Sequence, residues 1–104
     1  MNGINFIADT NAIIYLLAGN PCMKSFTDNS LGVSVITEME LLSFPRITEQ
    51  EQVIIKELLS NCKILYFDNE IKNQAISLRR FYKIKLPDAI VAATAISYNM
   101  PLIT

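Results

Sequence analysis

The apolar residues of this chain change period again and again. Runs of about five residues, too short for helices, are each followed by a longer stretch whose apolar positions recur at three- and four-residue spacing. Ile4-Asn5-Phe6-Ile7-Ala8, Gly32-Val33-Ser34-Val35-Ile36 and Lys63-Ile64-Leu65-Tyr66-Phe67 read as such strands, and the final Leu102-Ile103-Thr104 reads as the start of another. The intervening pattern predicts helices over Ala12–Ala18, over about Thr37–Ser43 up to the Pro45 stop, and from a Thr48/Glu51 capping box to about Ser60. Two more follow, one from the Asp68 cap through Tyr82 and one over Asp88–Tyr98 behind Pro87, with a further short helix at Cys22–Asn29. In the helix after Thr48 the expected buried face is Val53, Ile54, Leu58 and Leu59; in the one after Asp68 it is Ile71, Ala75, Leu78 and Tyr82. No Asn-Gly or Asp-Gly hairpin signal separates the strands. Strands alternating with helices in this way build an α/β domain with a mainly parallel sheet, whose function gathers at the carboxyl ends of the strands.

The chain's 104 residues are 51% hydrophobic and 18% charged, which fits one folded domain over 1–104 and excludes a disordered or low-complexity chain. It has no histidine, so Ser-His-Asp and Cys-His catalysis and His-bearing zinc sites are excluded, and any chemistry must run on carboxylates. Cys22 and Cys62 form no CxxC motif and read as reduced thiols. No Lys or Arg precedes Lys24, Asp9 interrupts the first apolar stretch, and runs such as Ala12–Ala18 are too short to span a membrane. A soluble, cytoplasmic protein is expected. The net charge of −1 conceals an asymmetry: residues 1–52 carry six acids against two bases, residues 53–104 four against seven. Near-neutrality argues against holding nucleic acid by bulk electrostatics, but leaves room for an acidic site beside a basic flank.

Three acidic segments follow apolar runs and precede or open helices. Asp9, in Asp9-Thr10-Asn11, ends the first strand; alone, it reads as a helix N-cap. Glu38 and Glu40 follow the second strand, and residues two apart on a helix point about 200° from each other, so one of them faces solvent. Asp88 opens an apolar helix, where the dipole favours an acid in any case. If the fold brings three carboxylates to one sheet edge, their repulsion calls for a divalent cation, and all-oxygen ligands select Mg²⁺ or Mn²⁺. Such an ion activates water and stabilises phosphoryl transfer, the logic of metal-dependent nucleases.

The ordered set Phe6-Ile7-Ala8-Asp9-Thr10-Asn11, Val33-Ser34-Val35-Ile36-Thr37-Glu38-Met39-Glu40-Leu41-Leu42 and Lys85-Leu86-Pro87-Asp88-Ala89-Ile90-Val91-Ala92-Ala93-Thr94-Ala95 resembles the PIN domain family, particularly the VapC-type toxins of toxin–antitoxin pairs. The resemblance implies a three-layer α/β/α sandwich. It also implies a Mg²⁺- or Mn²⁺-dependent endoribonuclease leaving 5′-phosphate ends, a cognate antitoxin as partner and a homodimer. By motif, Asp9, Glu40 and Asp88 are the implied catalytic and metal-binding acids, Asn11 supports Asp9 by hydrogen bonding, Thr104 is a further supporting residue, and Glu38 is left to the solvent face.

In the family, the segment resembling Leu102-Ile103-Thr104 leads to a fourth acid and a last strand, so the expectation is a domain lacking both. That departure supports a rival reading, a truncated or degenerate PIN domain that binds an antitoxin or another protein without cleaving. A nucleotide-binding α/β module is weaker, since no GxGxxG or Walker pattern is present. Arg79, Arg80, Lys83 and Lys85 are candidates for contact with an RNA backbone. Phe81 and Tyr82 between them read as core, as do Met23, Met39 and Met100 as gap fillers. Tyr15, Leu16 and Leu17 read as core or partner surface.

Overall fold

The structure, a computed structural model, describes residues 3–19 and 30–104. Four strands, β1 (Phe6–Ala8), β2 (Leu31–Ser34), β3 (Lys63–Leu65) and β4 (Leu102–Ile103), form one sheet in the order β3-β2-β1-β4. Every pairing is parallel, with Ile7 opposite both Gly32 and Leu102. Five described helices connect them: α1 (Thr10–Leu17), α2 (Val35–Leu42), α3 (Glu49–Ser60), α4 (Asn69–Phe81) and α5 (Leu86–Tyr98). The short helix expected at Cys22–Asn29, with Cys22 and Met23, lies outside the described residues.

The strands' two-residue period sorts side chains to opposite faces and so makes three layers. Ala8, Leu31 and Val33, with Phe6, Ile64 and Ile103, pack against Ala12 and Ile13 of α1, Leu41 of α2, and Ile55 and Leu59 of α3. On the other face Ile7, Leu65 and Leu102 meet Ala95 and Tyr98 of α5, and α5 packs in turn on Ile71 and Ala75 of α4. Ala89, Ala93 and Ala95 keep α5 slim on its buried side.

The helix starts follow from capping chemistry. The Thr48/Glu51 box closes reciprocally, Glu51 N–H donating to Thr48 Oγ1 and Thr48 N–H to Glu51 Oε1, both at 3.0 Å. Asp68 Oδ1 accepts from Ile71 N–H at 2.9 Å. Ser34 accepts from Ile36 N–H at 3.1 Å, and this cap turns Val35 and Ile36, expected as strand, into the first turn of α2. No side-chain bond caps α5, which starts one residue before Pro87 and ends at Asn99 in the left-handed region (φ 54°).

Several expected core positions are exposed. On α3 the buried residues are Ile55 and Leu59, while Val53 is 63% and Ile54 49% exposed, because the helix sits rotated from the face that its apolar residues define. Met39 is also exposed, on the side of α2 opposite buried Leu41. Phe81 and Tyr82 lie outside the core because α4 ends at Phe81 and the chain turns extended at Tyr82 before the Ile71–Ala75–Leu78 stripe can take another turn. Glu38 is half-buried beside Leu42, Lys56, Leu59 and Ile64 rather than on the solvent face, since its side of α2 packs toward α3 and β3. Among the described residues no helix is long and apolar enough to cross a membrane.

Candidate functional site

Parallel pairing of β1 with the edge strand β4 brings the residues following them, Asp9 and Thr104, to the same carboxyl edge of the sheet. Asp9 is held on both sides. Its backbone N–H donates to Ile103 O at 3.0 Å, and its Oδ1 accepts from Ala12 N–H at 2.9 Å as the N-cap of α1. The cap leaves Oδ2 without a hydrogen bond among the described residues, so the side chain is both a helix cap and an oriented acid. The bond that orients it comes from a backbone amide, whereas Asn11 is exposed on the first turn of α1.

Asp88 stands exposed in the first turn of α5, where the partial positive charge of the helix end favours a carboxylate. Asp9, Asp88 and Thr104 share one hollow of about 230 Å³, walled by Ile84, Val91, Ala92 and Leu102. Two acids from opposite layers of the sandwich therefore meet at the sheet edge, with a hydroxyl-bearing residue beside them.

Glu40 reaches this region from α2 and does not line that hollow. Thr10, the residue after Asp9, donates its hydroxyl to Glu40 Oε1 at 2.6 Å in a partly buried setting. A charge-assisted bond of that length ties α1 to α2 and orients the Glu40 carboxylate from the residue that follows Asp9. Nothing in the sequence singles out Thr10, because a threonine at a helix start carries no local mark of a partner thirty residues on.

Two carboxylates around a small hollow suit a hard divalent cation, since Mg²⁺ keeps several waters and needs one or two protein carboxylates. Among the described residues no three acids stand close enough together to hold an ion jointly; Asp9 and Asp88 share the hollow, and Glu40 is outside its lining. The cations flank one side. Ile84 is in the wall, and its neighbours Lys83 and Lys85 are exposed, as are Arg79 and Arg80 in the last turn of α4. Arg79 Nε donates to Ile84 O at 3.3 Å, bracing the α4–α5 connection.

The sequence model of the PIN domain family matches residues 6–104. Among solved structures the chain is similar to a toxin–antitoxin complex from Klebsiella pneumoniae, with 34% identity and a TM-score of 0.84 over 96% of this chain and 85% of that one. It is also similar to VapBC-1 from nontypeable Haemophilus influenzae, at 28% identity and a TM-score of 0.82, covering 97% of this chain and 86% of that one. VapBC2 from Rickettsia felis, bound to a DNA fragment from its promoter, shares the fold at 23% identity, with a TM-score of 0.81 over 97% of this chain and 86% of that one. No curated protein matches by sequence.

Proposed function

The chain belongs to the PIN domain family, and from that premise we propose that it is a VapC-type toxin: a Mg²⁺- or Mn²⁺-dependent endoribonuclease of the cytoplasm, homodimeric and restrained by a cognate antitoxin. The observation that carries this reading is the meeting of Asp9 and Asp88 in one hollow at the carboxyl edge of the sheet. Similarity to the Klebsiella toxin–antitoxin complex supports the antitoxin partner. So do the exposed apolar side chains of Ile14, Tyr15 and Leu17 on α1 and of Met39 on α2.

Asp9 and Asp88 would hold the cation, which when bound supplies an activated water and neutralises charge developing on the phosphate. The chain's own residues do the rest. The Ala12 amide fixes Asp9 Oδ1 and leaves Oδ2 for the site. Thr10 holds one oxygen of Glu40, so that the other is presented in a set direction. Lys83 and Lys85 draw the RNA backbone toward the acids, which would otherwise repel it. Water adds to phosphorus as the P–O3′ bond breaks, leaving a 5′-phosphate on one fragment and a 3′-hydroxyl on the other.

Purified protein incubated with RNA and Mg²⁺ or Mn²⁺ is expected to cleave it. EDTA, and separately Asp88→Asn, should abolish cleavage; activity that survives either overturns the mechanism. One observation favours a second reading. No three described acids form a joint ion-holding group, which fits a PIN domain that binds an antitoxin without cleaving. Antitoxin binding with no cleavage under either metal would establish that reading instead.

A further inference from the structure

The most exposed large apolar side chain among the described residues is Phe81, at 80%, and its neighbour Tyr82 is 62% exposed. They sit on a braced segment. Tyr82 N–H donates to Leu78 O at 2.9 Å, Ile84 N–H to Tyr82 O at 3.0 Å, and Arg79 Nε to Ile84 O at 3.3 Å. Ile84 anchors the far end by packing between α4 and α5 while forming part of the wall of the Asp9–Asp88 hollow. Two aromatic rings are thus held in solvent within three residues of the candidate active site.

The stretch of chain that carries them is cationic. Arg79, Arg80, Lys83 and Lys85 flank the rings, no acid occurs from Ile71 through Pro87, and none of the four cations pairs with an acid among the described residues. Exposed aromatics interleaved with cations are the elements of a surface for unpaired nucleic acid, the cations following the phosphates and the rings stacking on bases. Aromatics and arginine also suit a protein interface, but lysine is depleted at the centres of such interfaces, so Lys83 and Lys85 are what favours a phosphate-bearing partner.

Resting on the ribonuclease reading above, the geometry points to Phe81 and Tyr82 as a stacking platform that holds unpaired RNA bases while the adjoining phosphate enters the Asp9–Asp88 hollow. Duplex RNA has its bases stacked internally and cannot use such a platform. Stacking tolerates any base, so the platform selects unpaired strands rather than a sequence.

The test is fluorescence-anisotropy binding of the full chain, in EDTA so that nothing is cleaved, to an unstructured mixed-sequence oligoribonucleotide and to a duplex of the same length. Phe81→Leu with Tyr82→Leu keeps the apolar character and removes the rings at exposed positions where folding is not at stake. Single-strand affinity should fall about tenfold or more, since base–ring stacking is of that order for each ring, with duplex affinity unchanged. Lys83→Gln with Lys85→Gln should weaken both ligands and flatten the salt dependence.

Unchanged single-strand affinity in the leucine variant, an equal loss on duplex, or no single-strand binding by the wild type overturns the platform. So does a leucine variant that keeps RNA binding but loses self-association or antitoxin binding. A wild type that binds single strands through the rings yet cleaves nothing with Mg²⁺ or Mn²⁺ leaves the platform standing and removes the nuclease reading.

Discussion

Thr10 donates its hydroxyl to Glu40 Oε1 across 2.6 Å, joining the first residue of α1, which directly follows Asp9 in the chain, to α2. The bond is partly buried, so each partner would leave the other wanting.

Thr10→Val keeps the side-chain shape and removes the donor. A hydrogen bond to a charged group contributes about 1.5–3 kcal/mol, and partial exposure brings the expected loss of stability to about 1–2 kcal/mol in urea titration. RNA cleavage should drop about tenfold or more through loss of Glu40 orientation. A valine variant with wild-type stability and rate would show that the bond matters to neither.

Asp9 has two roles that substitution can separate. Asparagine caps helices about as well as aspartate, so Asp9→Asn should melt close to wild type while RNA cleavage falls by about two orders of magnitude or more. Asp9→Ala should lose cleavage too and in addition about 1 kcal/mol of stability with the cap. Thermal melts beside a cleavage assay read the difference, and an Asp9→Asn variant that cleaves normally would reduce Asp9 to a cap.

The capping box of α3 carries a pH signature. The Thr48 amide, and then its hydroxyl, hold the Glu51 carboxyl below its ordinary value of 4.5. A depressed folded-state pKa means that the contribution is full above about 4.5 and is lost as pH falls through the lower folded value. Glu51→Gln should therefore narrow its stability gap to wild type as pH drops below 4.5, in melts from pH 7 to pH 3. A gap constant over that range would show that the carboxylate's charge does not contribute.

Gly32 lies in the middle of the sheet, where an added Cβ would stand 3.0 Å from Leu65 Cδ1 and 3.2 Å from Ile4 Cγ2. Both neighbours are buried and have little room to yield. Gly32→Ala should destabilise the fold by about 1 kcal/mol, the low end of overpacking costs. A melt at or above the wild-type temperature would show that Leu65 and Ile4 repack freely.

Much of this structure can be read from spacing because its signals are local. The Thr48/Glu51 box, the Asp9 and Asp68 caps and the alternation of strand and helix depend on neighbours a few residues apart, and each is present as expected. Where burial is decided by remote packing, the reading failed. Val53 and Ile54 share helical spacing with Leu58 and Leu59, yet α3 docks through Ile55 and Leu59 and leaves Val53 and Ile54 exposed. Phe81 and Tyr82 continue an apolar pattern that the end of α4 interrupts. Val35 and Ile36 are strand-like in composition, but the Ser34 cap outweighs that preference. At the site, the positions of Asp9 and Asp88 at element ends were legible, whereas the bond between Thr10 and Glu40 exists only once two helices pack.

The anchoring of Asp9 N–H on Ile103 O bears on the order of events during synthesis. Domains emerge from the ribosome N-terminus first and settle as units. β1 and Asp9 are made well before β4, but the pairing that fixes Asp9 at the sheet edge awaits β4, nearly a hundred residues later. A nascent chain of this protein therefore cannot close the hollow that Asp9, Asp88 and Thr104 share until β4 has emerged and paired with β1.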